Sequence, residues 1–168
     1  MTPMAGKLTL TTPSDREIVM TRVFDAPRAL VYECHTRPEL VRRWLLGPPG
    51  WSMPVCEIDF RVGGEYRYVW RNDESGHEFG MGGVYREIAA PERIVHTELF
   101  DGAEMGGELL ETTVFTEKAG RTTLTSTILL GSREARDEML KSGMEGGLGQ
   151  SYDRLQDLMN SLPAGGGS

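Results

Sequence analysis

Little in this sequence points to chemistry carried by sulfur, metal or phosphate. Its two cysteines, Cys34 and Cys56, are too few for a disulfide framework and form no CxxC pair, so they read as small half-buried hydrophobes. The three histidines, His35, His77 and His96, lie far apart along the chain. His77-Glu78 lacks the second histidine that a zinc-protease helix needs. There is no G-x-S-x-G elbow, Walker loop or dinucleotide fingerprint. Gly80-Met81-Gly82-Gly83 is rich in glycine but sits in a strand pattern with no helix behind it, a poor phosphate loop. Glu57 and Asp59 fall on the charged parity of their strand and read as solvated groups. The sequence therefore assigns no catalytic residue, no metal ligand and no cofactor.

Positive charge is also short. Lys and Arg number 18 against 25 Asp and Glu, a net charge of −7, whereas a nucleic-acid groove needs clustered cations against phosphate. No nucleic-acid partner is expected. The longest apolar runs last a few residues, well below the ~20 that cross a bilayer. Met1 to Thr12 holds one Lys and no apolar core of a secretion signal. The expectations are no membrane insertion and a cytoplasmic location.

What is present is a chain of 168 residues, 39% hydrophobic, which suits one well-filled core. Asp15–Phe24 reads as a first strand, with Ile18, Val19, Met20 and Val23 as its β-favouring bulk. Asp25 is the expected cap of a helix with Pro27 in its first turn and Leu30, Val31 and Cys34 on its apolar side. Thr36 is the expected cap of a second short helix, striped by Leu40, Val41 and Trp44 and ended by Gly47-Pro48-Pro49-Gly50.

From Trp51 to Leu130 the apolar period becomes two. Six runs separated by turn residues, about 52–61, 65–71, 78–88, 93–100, 108–117 and 121–130, predict an antiparallel meander. The period then returns to 3.6. Ser132 is a fair cap, and beyond Gly143 the residues Met144, Leu148, Tyr152, Leu155, Leu158, Met159 and Leu162 trace one helical face. The order predicts an α+β fold: about seven antiparallel strands in a curved sheet wrapped around a long C-terminal helix, with two short helices after the first strand. Residues 1–11 read as an N-terminal tail, 12–162 as the domain and 163–168 as a flexible Gly-rich tail.

Strand parity puts Tyr66, Tyr68 and Trp70 on one face, with Glu65, Arg67, Val69 and Arg71 on the other. Three amphipathic rings in a row fit an aromatic-lined cavity, and equally an ordinary core whose hydroxyls reach its rim. Phe79, Met81 and Tyr85 share a parity on the following run. Gly143, Gly146, Gly147 and Gly149 crowd the last helical stretch, each costing ~1 kcal/mol against Ala in a helix interior. They suit a linker between two helices, or close approach and open space at a cavity mouth. His96 lies in a strand, where it reads first as a hydrogen-bonded strand histidine and second as an acid or base entering a cavity.

One ordered set of motifs goes further. It begins with Arg22-Val-Phe-Asp-Ala-Pro27, Val31-Tyr32, Thr36-Arg-Pro-Glu-Leu40 and Arg43-Trp44. It continues with Asp59-Phe-Arg-Val-Gly-Gly64, Gly83-Val-Tyr-Arg-Glu-Ile88 and Pro91-Glu-Arg-Ile94. Gly120-Arg-Thr-Thr-Leu124, Gly143-Met144 and Gln150-Ser-Tyr-Asp-Arg-Leu155 complete it. Over about residues 12–162 this set resembles the START-like (SRPBCC, Bet v-type helix-grip) superfamily, and within it the family of homologues of the activator of heat-shock protein 90 ATPase.

The resemblance implies the helix-grip fold and a cavity between sheet and long helix that admits a small apolar molecule. Candidate ligand-binding residues are then Trp44, Tyr66, Tyr68, Trp70, Met81, Tyr85, His96, Met144, Leu148 and Tyr152. It supplies no shared catalytic set. The chain departs from the family pattern at Leu45-Leu46, where a second aromatic often follows the tryptophan, and at Leu148, near which a tryptophan often stands. Three functions follow as expectations: binding of a small apolar molecule, cyclase- or lyase-type turnover in the same cavity, and stimulation of a chaperone ATPase with a link to stress response. A homodimer and a chaperone partner stay open.

Overall fold

The computed structural model describes residues 6–102 and 107–162, so the C-terminal tail expected at 163–168 lies outside the described residues. Strands β1 (Thr9–Thr11) and β2 (Glu17–Phe24) lead into helices α1 (Arg28–Thr36) and α2 (Pro38–Trp44). Six strands follow: β3 (Trp51–Ile58), β4 (Glu65–Asn72), β5 (Glu78–Ala89), β6 (Arg93–Phe100), β7 (Leu109–Lys118) and β8 (Arg121–Leu129). Helices α3 (Arg133–Lys141) and α4 (Met144–Ser161) close the chain.

All eight strands form one antiparallel sheet in the order β1-β2-β8-β7-β6-β5-β4-β3. The run β3 to β8 is the meander expected from its short turns. β2 pairs with β8 along its full length, from Glu17 opposite Leu129 to Phe24 opposite Thr122, so α1 and α2 carry the chain from one end of the sheet to the other. The sheet curves around α4, the helix-grip arrangement.

Several expectations need correction. There are eight strands, because Thr9–Thr11 pairs with β2 in the segment read as a tail. The N-cap of α1 is Pro27, in extended conformation, and not Asp25, whose backbone N–H instead donates to Gln156 Oε1 at 2.8 Å. Nor does Thr36 cap α2: Arg37 holds that place, and the Thr36 hydroxyl donates back to Glu33 O. Ser132 does cap α3, its Oγ accepting from Ala135 N at 3.0 Å. The C-terminal helical region is two helices. Gly143 joins them at φ 84°, a left-handed turn that glycine makes without steric cost.

The buried side chains fall into two groups. The larger gathers Phe24, Val31, Trp44, Tyr68, Phe115, Leu155 and their neighbours between α1, α2, α4 and the middle of the sheet. The smaller, Ile18, Met20, Leu109, Ile128, Leu130 and Ala135, sits under α3. Among the described residues no helix is long and apolar enough to cross a membrane.

Candidate functional site

A cavity of about 760 Å³ is lined by residues of both groups, between the concave face of the sheet and helices α3 and α4. Strand alternation builds its walls. β4 turns Tyr66, Tyr68 and Trp70 inward, each less than a tenth exposed, while Glu65 and Arg71 point out. Successive rings touch: Tyr66 and Tyr68 have centroids 5.1 Å apart, and Tyr68 and Trp70 5.8 Å. Trp70 stacks on Phe79 of β5 at 5.1 Å, which extends the aromatic wall towards the solvent-facing end. From the helices come Trp44, stacked on Tyr152 at 5.8 Å, and Leu148 and Met144.

Both indole N–H groups in this wall are spent on main chain. Trp44 Nε1 donates to Cys34 O at 2.9 Å, and Trp70 Nε1 donates to Leu45 O at 2.7 Å. The tryptophans thus offer ring faces to the cavity and no donor. The loop after α2 is tied to α4 in turn: Ser151 Oγ accepts from Gly47 N, and the Arg154 guanidinium donates to Trp44 O and Gly47 O. These ties fix the rim where Leu45 stands in place of an aromatic.

One end of the cavity is polar. Cross-strand register sets His96 of β6 opposite Glu111 of β7, and Glu98 shares the inward face of β6 with His96. His96 Nε2 lies 3.4 Å from Glu111 Oε1, and one donor atom from each of His96, Glu98 and Glu111 falls within 4.8 Å of the others. Tyr66 Oη donates to Thr97 O at 2.6 Å. His96 Nδ1 sits 3.1 Å from Tyr66 Oη and 3.3 Å from Thr97 O, and both are accepting there, so Nδ1 carries the ring proton.

Burial, then the neighbouring Glu111 carboxylate, drives the Glu98 carboxyl well above the ordinary range. Glu111 is pushed up by burial, but accepting from Glu98 and His96 outweighs this and holds it low. The two carboxyls therefore hold one proton between them. His35 of α1 enters from the other side, packed against Trp44 and Phe115. Its Nδ1 is bonded to Val31 O at 2.8 Å, and burial lowers it to about 4, so Nε2 is an acceptor.

All ten sequence candidates line this one cavity: Trp44, Tyr66, Tyr68, Trp70, Met81, Tyr85, His96, Met144, Leu148 and Tyr152. Sequence reasoning missed Glu98, Glu111 and His35. The signal for Glu98 was available, since Ile94 and Phe100 fix the inward parity of β6 and put His96 and Glu98 between them. Leu109, Thr113 and Phe115 do the same for Glu111 on β7. His77 stays away from the cavity, against Trp51.

A family model described as Activator of Hsp90 ATPase homolog 1-like protein matches residues 25–160. No functionally curated protein matches the chain. Among solved structures, a protein from Rhodobacter sphaeroides is 28% identical with a TM-score of 0.87, covering 93% of this chain and 100% of its own. A protein from Chromobacterium violaceum, also 28% identical, has a TM-score of 0.77 with 87% and 98% covered. An AHSA1-like protein from Aeromonas hydrophila shares the fold at 17% identity, TM-score 0.68, over 84% of this chain and 93% of its own.

Proposed function

The chain belongs to the Activator of Hsp90 ATPase homolog 1-like family, and on that footing we propose that its cavity binds a small, largely apolar molecule. The observation that carries this reading is the cavity itself. Its volume of about 760 Å³ suits a ligand, and its walls are mostly aromatic and aliphatic with a few convergent polar groups at one end. A core closed for stability alone would fill that space, because each unfilled methyl-sized gap costs ~1 kcal/mol.

Burying ~300 Å² of apolar ligand surface contributes roughly 7 kcal/mol gross. Association costs of several kcal/mol leave modest affinity from apolar contact alone. The polar end supplies the remainder and orients the ligand. The indole faces of Trp44 and Trp70, with Tyr68, Met81 and Leu148, hold its body.

Native mass spectrometry of the protein purified from its own host tests this. The expected result is a co-purified small molecule whose occupancy drops in Tyr68→Phe and His96→Ala variants. Unchanged occupancy in both variants would remove those residues from the site. A second reading, proton-transfer turnover of a bound substrate, is favoured by one observation: the paired Glu98 and Glu111 carboxyls facing the cavity beside His96. Turnover lost in Glu111→Gln while binding persists would support it, and turnover indifferent to Glu98, Glu111 and His96 would end it.

A further inference from the structure

The polar end of the cavity has an unbalanced inventory of charge and hydrogen bonds. Its strongest groups accept. Glu111 is a carboxylate, Glu98 a second carboxyl beside it, and His35 presents an unprotonated Nε2. Three donors in the wall are already committed, Trp44 and Trp70 to main-chain carbonyls and Tyr66 to Thr97 O, which leaves hydroxyls such as those of Tyr68, Tyr85 and Tyr152 in the lining but no charged donor from Lys or Arg. Glu138 adds one more carboxylate to the lining, Asp101 is neutralised by a bidentate pair with Arg67, and among the described lining residues there is no Lys or Arg. An anionic ligand would meet negative charge with no cation to receive it.

The His96–Glu111 contact points the same way. Nδ1 holds a ring proton against Tyr66 Oη and Thr97 O, so Nε2 meets the Glu111 carboxylate oxygen 3.4 Å away only with a second proton on the ring or a cation beside the two atoms. Two acceptors at that separation need a proton or a cation near them. Aromatic rings flank this point, with Tyr66 and Tyr85 centroids 5.3 and 6.1 Å from the His96 ring in edge-to-face arrangement. Two carboxyls at the base and aromatic rings at the sides suit an organic cation.

We propose that the ligand is an amphiphilic amine: an apolar or aromatic body in the main cavity, with a protonated primary or secondary ammonium group bonded to Glu98 and Glu111. This deepens the ligand-binding reading and rests on it. The ammonium N–H groups donate charge-assisted hydrogen bonds to the two carboxyls. Its positive charge replaces the proton shared between the two carboxyls, and that proton is released to solvent.

Three probes with one indole body and different heads test the inference: tryptamine, tryptophol and indoleacetic acid. They are titrated into the full chain, freed of divalent ions, while the side-chain resonances of Tyr68, Trp70 and Tyr152 are followed. Tryptamine is expected to bind at least about tenfold more tightly than tryptophol, with indoleacetate weakest, as charge-assisted hydrogen bonds require. In the Glu98→Gln/Glu111→Gln double variant, checked for folding by circular dichroism, the tryptamine-to-tryptophol ratio should fall to about one. Tryptophol or indoleacetate binding as tightly as tryptamine to the unaltered chain overturns the amine assignment and leaves the ligand-binding reading intact. If none of the three shifts those resonances, both fail. Tight binding of zinc or manganese ions alone, lost in the double variant, also overturns the proposal, because it gives the cluster to a metal.

Discussion

Gly83→Ala should damage both the fold and the polar end of the cavity, for a reason readable in atomic distances. A Cβ at this inward position of β5 would sit 1.9 Å from Thr97 O, 2.7 Å from Thr97 C and 2.9 Å from Tyr66 Cε1. Ordinary C···O contacts begin near ~3.3 Å, so the two strands must separate locally by about 1.4 Å. β5 and β6 are already irregular there, with pairing interrupted between Tyr85 and Glu87, and Val84 N donates to the Thr97 hydroxyl instead. The forced shift costs about 1–3 kcal/mol as overpacking. Losing the buried bond from Tyr66 Oη to Thr97 O adds about 1–3 kcal/mol, against ~0.5 kcal/mol regained from the stiffer unfolded chain.

The net expectation is a loss of about 1.5–5.5 kcal/mol, or a fall in Tm of roughly 3–22 °C for a domain of this size. Urea unfolding followed by tryptophan fluorescence measures it. Gly149→Ala is the control, since its Cβ would meet nothing within 4 Å inside α4. That change should stabilise by about 0.5–1 kcal/mol. A Gly83→Ala protein within about 0.5 kcal/mol of the parent, the range of ordinary surface substitutions, would refute the close approach and the Tyr66–Thr97–His96 geometry built on it.

Three further outcomes follow from particular side chains. His35 is lowered to about 4 from an ordinary 6.5, so between those pH values the unfolded chain binds the extra proton. Stability should therefore fall by up to about 3 kcal/mol from pH ~6.5 to ~4 relative to a His35→Phe variant, and parallel stability–pH curves would contradict this. Arg22 is 3% exposed and its guanidinium meets Asp153 at 2.9 Å, an aspartate that is 66% exposed. Asp153→Asn should cost about 1–3 kcal/mol in urea unfolding by leaving a buried cation without its carboxylate, whereas an unchanged midpoint would show that the pair contributes nothing. Burial raises both Cys34 and Cys56 to about 11, so neither should react with iodoacetamide near neutral pH until urea unfolds the chain; rapid labelling of the native protein would contradict their placement.

The parts of the fold that were legible are those written in short-range pattern. Tyr66, Tyr68 and Trp70 alternate with charged residues, so their face could be read from β4 alone. The change from period two to period 3.6 after Leu130 marked the turn from sheet to helix. β1 escaped notice because Thr9–Thr11 is three residues of an otherwise polar tail, and its pairing with β2 is a long-range fact. The caps of α1 and α2 were misjudged because Asp25 and Thr36 look like caps, yet their hydrogen bonds go to Gln156 and Glu33.

The glycines of the last helical region separated into two kinds. Gly143 makes the turn between α3 and α4, whereas Gly146 and Gly149 border open space and no close approach to the sheet requires them. The polar end was hidden for a different reason. Strand parity turns Glu98 and Glu111 inward, but only the register of β6 against β7 sets Glu111 opposite His96 and so assembles the cluster.

Whether the space between sheet and α4 admits a ligand can be read from the three tryptophans. Trp44 and Trp70 line the cavity, while Trp51 packs on Phe79 and His77 and is not part of the lining. Titration with Nile red, a neutral apolar dye, can be followed by the indole N–H resonances of all three. Saturable one-to-one shifts of Trp44 and Trp70 with Trp51 unmoved are the predicted result. Shifts confined to Trp51, or none that saturate, would contradict it.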